Sequence, residues 1–342
     1  MTNKINSIKL LTLLLLSTVI CAELFASEVN VYSGRKEKLI KPLLDEFSKE
    51  TGVKVNLVTA KSSALLKRLE LEAQSSPADI FITVDVGRLH HAKKIGLFQK
   101  IDKESLVNVK EAYLDKEGYW VGLSKRVRTI VVDKKITESE IKSFKDLTSG
   151  KFQNEICIRS SNNIYNQSLV ASLISTHGIE KTEEWAKGFV SNFARKPQGN
   201  DRSQIMAVAN EVADLAIANS YYYGYMLSGK AGNEQVKAAK KVKMFFPNQS
   251  NRGVHINISG LGVLKNAKNI DNANKFIEFL LSREMQSSMV NNSFEYPVLS
   301  DVLPHPNIAS SGLDFLENKI QVSEYGKFNS EAIKLMDRAG WK

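Results

Sequence analysis

From residue 28 onward, short β-rich runs alternate with stretches whose apolar residues recur at helical spacing. "EVNVYSG" (28–34) reads as a strand. "KLIKPLLDEFSKETG" (38–52) follows with Leu39, Ile40, Leu43, Leu44 and Phe47 on one helical face. Pro42 is expected in the first turn of that helix, where a missing N–H costs little, and Gly52 is expected to end it. "VKVNLVTA" (53–60) is a second strand, and "SSALLKRLELEAQSS" (62–76) a helix with Ser62 or Ser63 as its cap. "ADIFITV" (78–84) is a third strand, followed by a helix in "VGRLHHAKKIG" (86–96). A β-α-β-α-β order predicts an open, mostly parallel sheet with helices on its faces.

The pattern restarts further along. "VGLSKRVRTIVVDK" (121–134) is extended, "EICIRS" (155–160) is a strand, and "NQSLVASLISTHG" (166–178) is a helix closed by Gly178. "ADLAIAN" (213–219) is a strand that runs straight into "SYYYGYML". The predicted fold class is therefore α/β with two lobes around a cleft, each lobe a mixed sheet flanked by helices. No Pro/Ser linker or low-complexity segment separates the units, so crossover strands should join them; 121–134 and 251–264 are the candidates. The expected division is 27–126 plus 252–298 for the first lobe and 127–251 plus 299–342 for the second.

The first 26 residues belong to neither lobe. Lys4 and Lys9, the apolar run Leu10 to Ile20 and small residues near Ala26 have the order of a secretory signal peptide cleaved near Ala26. The run is shorter than the roughly 20 residues that span a bilayer. Lipid anchoring at Cys21 is the alternative, disfavoured by the bulky Ile20 before it. The exported product then keeps one cysteine, Cys157, whose apolar strand context predicts an inert buried thiol rather than a disulfide or a nucleophile.

The full chain carries a net charge of +10, and losing Lys4, Lys9 and Glu23 lowers it by one. The basic residues are dispersed, without the compact footprint of a nucleic-acid binder. Five histidines, with no G-x-S-x-G elbow, H-E-x-x-H or phosphate-cradling glycine loop, argue against an enzyme.

Candidate chemistry concentrates at Tyr221 and Tyr222. They directly follow a strand, with Ser220 expected to cap the helix they open. Tyr165 follows the strand 155–160 after a short polar loop. In open α/β sheets, ligands bind just beyond the carboxyl ends of strands, and neighbouring strands lie about 4.8 Å apart, so phenols from two such loops can meet. Amphipathic packing with a wet hydroxyl is the alternative use of such tyrosines. Tyr223 and Tyr225 need not share the direction of the first pair. Three phenol oxygens suit a hard, highly charged cation such as ferric iron. Zinc would want a His/Cys cluster, and His90-His91, one residue apart on a helix, diverge.

With these residues in view, the chain resembles the bacterial periplasmic ferric iron-binding proteins of ABC importers. "VYSGRKEKLIKPLLDEFSKETGVKV", "SPADIFITVDVGRL", "CIRSSNNIYNQSLVASLI" and "IANSYYYGYML" look like that family's blocks, in its order. The resemblance implies a two-lobed type II solute-binding fold that closes over Fe3+. It implies Tyr165, Tyr221 and Tyr222 as tyrosinate ligands, periplasmic location, an inner-membrane ABC permease as partner, and a monomer. Where many members carry a histidine, or histidine and tyrosine, this chain has Lys36 and Glu37. Val84 and Asp85 stand near a glutamate position, and Tyr225 where many relatives have arginine. Glu37, Asp85, water or a synergistic anion such as carbonate would then complete the shell, with Arg35 and Arg126 holding the anion. Capture of a small organic anion or metal chelate, walled by Tyr165 and Tyr222 and anchored by Arg126, is the second reading.

Overall fold

A computed structural model describes residues 27–342 except 107, 138, 310, 311 and 313. The signal-peptide segment and Cys21 lie outside the described residues. The first unit has the expected order: β1 (Glu28–Ser33), α1 (Glu37–Thr51), β2 (Lys54–Thr59), α2 (Ser62–Glu72), β3 (Ile80–Thr83) and α3 (Val86–Lys94). β1 pairs in parallel with both β2 and β3. α1 buries Ile40, Leu43, Leu44 and Phe47. Phe47 meets Phe276 and Phe279 of α9 (Ile270–Leu280) edge-on, with ring centroids 5.1 and 5.3 Å apart.

Two strands carry the architecture. β4 (Val121–Asp133) pairs antiparallel with β8 (Ile256–Val263) from Val121 to Val127, then with β6 (Leu215–Asn219) from Arg128 to Val132. It thus leaves one sheet and enters another without a turn, and the segment before β8 returns. The first crossover falls in 121–134 as expected; the return is made between β7 and β8, in 246–255, and overlaps only the start of the expected 251–264, most of which is β8 within one sheet. The order β2-β1-β3-β8-β4-β6-β5 runs through both sheets, with β5 (Ile156–Cys157) parallel to β6. Two further strands join β4: β7 (Val242–Phe245) in its second half and β9 (Tyr296–Pro297) in its first.

The second unit is carried by α4 (Ile164–His177), α5 (Ile179–Val190), α6 (Asp201–Ala209), α7 (Ser220–Leu227) and α8 (Asn233–Lys241). After β8 come α9, α10 (Arg283–Ser293), β9, the short α11 (Pro306–Ala309) and α12 (Ser323–Arg338). α12 packs against both α3 and α4, tying the two units together at their side.

Three local expectations are corrected. Pro42 lies inside α1, beyond its first turn, on the exposed face. The cap position of α2 is Lys61 and that of α7 is Asn219, neither with a side-chain cap bond. Ser62 and Ser220 are instead first helical residues, and their buried hydroxyls have no partner. A serine just before an apolar helical run fits the cap position and the next one equally well, which is why the pattern was ambiguous.

Candidate functional site

Tyr165 sits in the first turn of α4, where Asn163 accepts a hydrogen bond from its backbone N–H (3.2 Å). Tyr221 and Tyr222 open α7 directly from β6. β5 and β6 are parallel neighbours, so both helices start at the same sheet edge. A buried polar hub fixes their relation. Asp201, fully buried, accepts from Arg128 (2.8 Å), Arg159 (3.0 Å) and the backbone N–H of Asn219 (2.8 Å). Arg128 also donates to Asn166 and Asn219, the residues adjoining Tyr165 and preceding Tyr221 by two positions. Two cations around one carboxylate hold both loops in register, since a buried acid keeps its charge only when so partnered.

The hydroxyl oxygens of Tyr165 and Tyr221 lie 3.4 Å apart, too far for a strong O–H···O bond. The rings of Tyr221 and Tyr222 approach to 4.1 Å between centroids at 32°. The three phenols thus come together, half-buried, on a cleft of about 260 Å³. Burial raises the Tyr221 pKa well above the ordinary phenol value, neighbouring Tyr165 and Tyr222 add to this, and Arg126 opposes it. Burial, with Tyr165 and Asp201, pushes Tyr222 up to about 12, against a bond from Tyr221 and the charge of Arg159. Both are neutral phenols at pH 7 until a cation displaces their protons. Their place in first helical turns, where unpaired N–H groups carry partial positive charge, favours the ionised form once the cation is present.

The opposite wall holds Arg35 and Arg126, brought together by a residue the sequence reading missed. Glu295, buried, accepts from Arg35 Nη1 and Arg126 Nε, both at 2.9 Å, and from the Ser124 hydroxyl. Burial alone would raise its carboxyl pKa; the two guanidinium charges and their hydrogen bonds outweigh that and hold it at about 2. Arg126 donates further to Val84 O and Ser259, and Arg35 to Ser259 and Ser124. The Arg126 guanidinium lies 5.6 Å from the Tyr165 ring centre and 5.9 Å from that of Tyr221. The only earlier hint of Glu295 was an acid set among apolar residues in "SFEYPV".

Glu37 and Asp85 are not brought to the phenols. Glu37 is exposed at the start of α1, on a separate groove with Lys41 and Thr59. Asp85 caps α3 through Gly87 N and accepts from Ser168 and Asn257, 2.7 Å each, so its oxygens are occupied. Lys36, Lys38 and Arg202 do line the cleft, as does the ring of Tyr225, which has the Lys38 ammonium and the Arg202 guanidinium each 5.6 Å from its centre. The Tyr225 hydroxyl turns away to Lys230 O. His90 packs against Gly326 while His91 faces Glu70 (3.3 Å), so the pair diverges as expected. Cys157 is buried, which raises its thiol pKa. Among the described residues, no group of three or more His, Cys, Asp or Glu could hold a metal.

A family model described as "Bacterial extracellular solute-binding protein" matches residues 75–313. The chain belongs to that family. Its members bind solutes and are not enzymes. Iron uptake protein A1 of Synechocystis is 45% identical to this solute-binding protein, across 92% of this chain and 88% of that one. The solved Trichodesmium IdiA (FutA) protein, in complex with iron and citrate, is 47% identical with a TM-score of 0.88, covering 92% of this chain and all of that one. A ferric binding protein from Campylobacter jejuni is 38% identical with a TM-score of 0.86, at 92% and 100% coverage. These neighbours share the two-lobed ferric-binding fold.

Proposed function

We propose that this chain captures ferric iron in the periplasm, with Tyr165, Tyr221 and Tyr222 as tyrosinate ligands, and delivers it to an inner-membrane ABC permease. The observation that carries the proposal is the meeting of three phenols from two loops on one cleft, beside Arg126. Three tyrosinates neutralise the 3+ charge, and each proton lost is displaced by the metal. The relatives named for iron uptake and ferric binding support the same cargo.

The rest of the cleft is basic: Arg35, Lys36, Lys38, Arg126 and Arg202 face a single carboxylate, Glu295. A bare trivalent cation is repelled there, so a synergistic anion such as carbonate completes the shell instead of Glu37 or Asp85. In this reading the lobes divide at 126/127, 251/252 and 298/299, the protein works as a monomer, and residues 1–26 are removed at export rather than lipidated at Cys21. Release follows opening of the lobes, protonation of the tyrosinates or reduction of the metal.

The excess of cations in the cleft also favours the second reading, an organic anion or metal chelate as cargo. The two separate in one experiment. Tyr221→Phe and Tyr222→Phe each delete only an oxygen, and each is expected to weaken ferric binding, measured by chelator competition, more than about 100-fold, beyond what outer-shell changes cost. Unchanged ferric affinity in both variants contradicts the tyrosinate site, and calorimetric binding of an organic acid by the same variants then supports the second reading.

A further inference from the structure

A second cavity, of about 640 Å³, opens beside the return crossover and shares no lining residue with the tyrosine cleft. Its size falls in the range of small-ligand sites, roughly 300–1,000 Å³. Phe144, Leu173 and Trp185 supply apolar wall, and Lys145, Lys181 and Arg252 supply charge against one carboxylate, Glu184. The wall is well fixed: Trp185 donates its indole N–H to Phe144 O (2.8 Å) and stacks on Phe189, while Asn248 accepts from Phe144 N.

Arg252 is the anomaly. Its Nε, Nη1 and Nη2 are all buried, and none has a hydrogen-bond partner. Its guanidinium lies 5.9 Å from the centre of the Phe144 ring. By contrast, the buried arginines Arg35, Arg126 and Arg128 each have an acid partner, Glu295 or Asp201. Burying a charge unpaired is costly, and native structures rarely retain one without a counter-ion. The field of this charge extends into the cavity: burial first, then Arg252, Lys181 and Lys145, depress the pKa of His177 on its wall.

We propose that this cavity binds a small carboxylate with an apolar or aromatic body. Arg252 lines the cavity beside Phe144, so its unpartnered guanidinium is the group that an entering anion meets. There the guanidinium fork meets the carboxylate in paired hydrogen bonds. Lys145 and Lys181 flank the carboxylate, and the body packs on Trp185. Because Asn248, Asn251 and Arg252 come from the segment joining β7 to β8, the occupant sits against the connection between the sheets.

Benzoate is the probe, added to the iron-loaded full chain so that the cleft is filled, with Trp185 fluorescence as the readout. Trp120 and Trp341 are fully buried, which makes Trp185 the reporter. Saturable quenching by benzoate, weakened at least about tenfold in Arg252→Gln and absent with neutral benzyl alcohol, is the expected result. Should Arg252→Gln fail to fold, Lys145→Gln/Lys181→Gln on the rim is expected to weaken benzoate in the same direction. No saturable binding, equal binding of benzyl alcohol, or affinity unchanged in the variants overturns the proposal.

Discussion

At the scale of single residues, Glu295 is the sharpest structural test. Its carboxylate joins Arg35 and Arg126 under full burial, so Glu295→Ala leaves two guanidinium groups without their shared acid. A cost of about 3 kcal/mol or more is expected in urea unfolding, as for other broken buried pairs. The pH dependence has a defined sign. Because the folded carboxyl is held at about 2, below its ordinary 4.5, its contribution is present above about pH 4.5 and is lost as pH falls toward 2. The unfolding free energy should fall with acid across that window in the parent and fall less in Glu295→Gln; identical pH slopes contradict the assignment. The tyrosines were legible because they are adjacent in sequence at a strand end. Glu295 and Asp201 were not, since their arginine partners lie 169 and 73 residues away and no local period announces such pairs.

At the scale of elements, two local devices set the site. Asn163 caps α4 and fixes the turn bearing Tyr165, so Asn163→Ala should cost about 1 kcal/mol and lower ferric affinity as well. Chemical denaturation and chelator competition read the two effects; a stability loss with unaltered affinity would show that the cap does not position the phenol. Gly260 faces Gly122 where β8 meets β4, and a Cβ there would come within 2.5 Å of Val121 O. Backbone cannot yield as a side chain does, so Gly260→Ala is expected to destabilise by about 2 kcal/mol or more in thermal melts. Long, strongly patterned elements such as α1, β4 and β6 were readable from periodicity. β5 was read as part of the longer run 155–160, whereas β7 and β9 span only four and two residues and carry too few positions to show a pattern. The helix caps failed for a related reason, being decided by a one-residue shift.

At the scale of the whole molecule, β4 runs through both sheets and the segment between β7 and β8 returns from the second to the first, while side-chain bonds link the two units across the cleft. Ser168 on α4 donates to Asp85 at the head of α3 (2.7 Å), and Lys38 on α1 stands over Tyr225 on α7. Ser168→Ala should shift the population toward a more open form, visible as a larger radius of gyration in solution scattering, and weaken iron binding several-fold. Asp85 keeps its bonds from Gly87 and Asn257, so the fold should survive. The two-lobed plan was legible because the β-α-β grammar restarts along the chain, whereas the bonds between lobes depend on approach in space alone. The central claim is that three phenols lose their protons to one trivalent ion. Titrating the protein with ferric salt while recording visible absorbance and proton release tests it most directly. A broad tyrosinate-to-iron band growing with release of about three protons per iron is the predicted result; iron bound without colour, or without proton release, contradicts it.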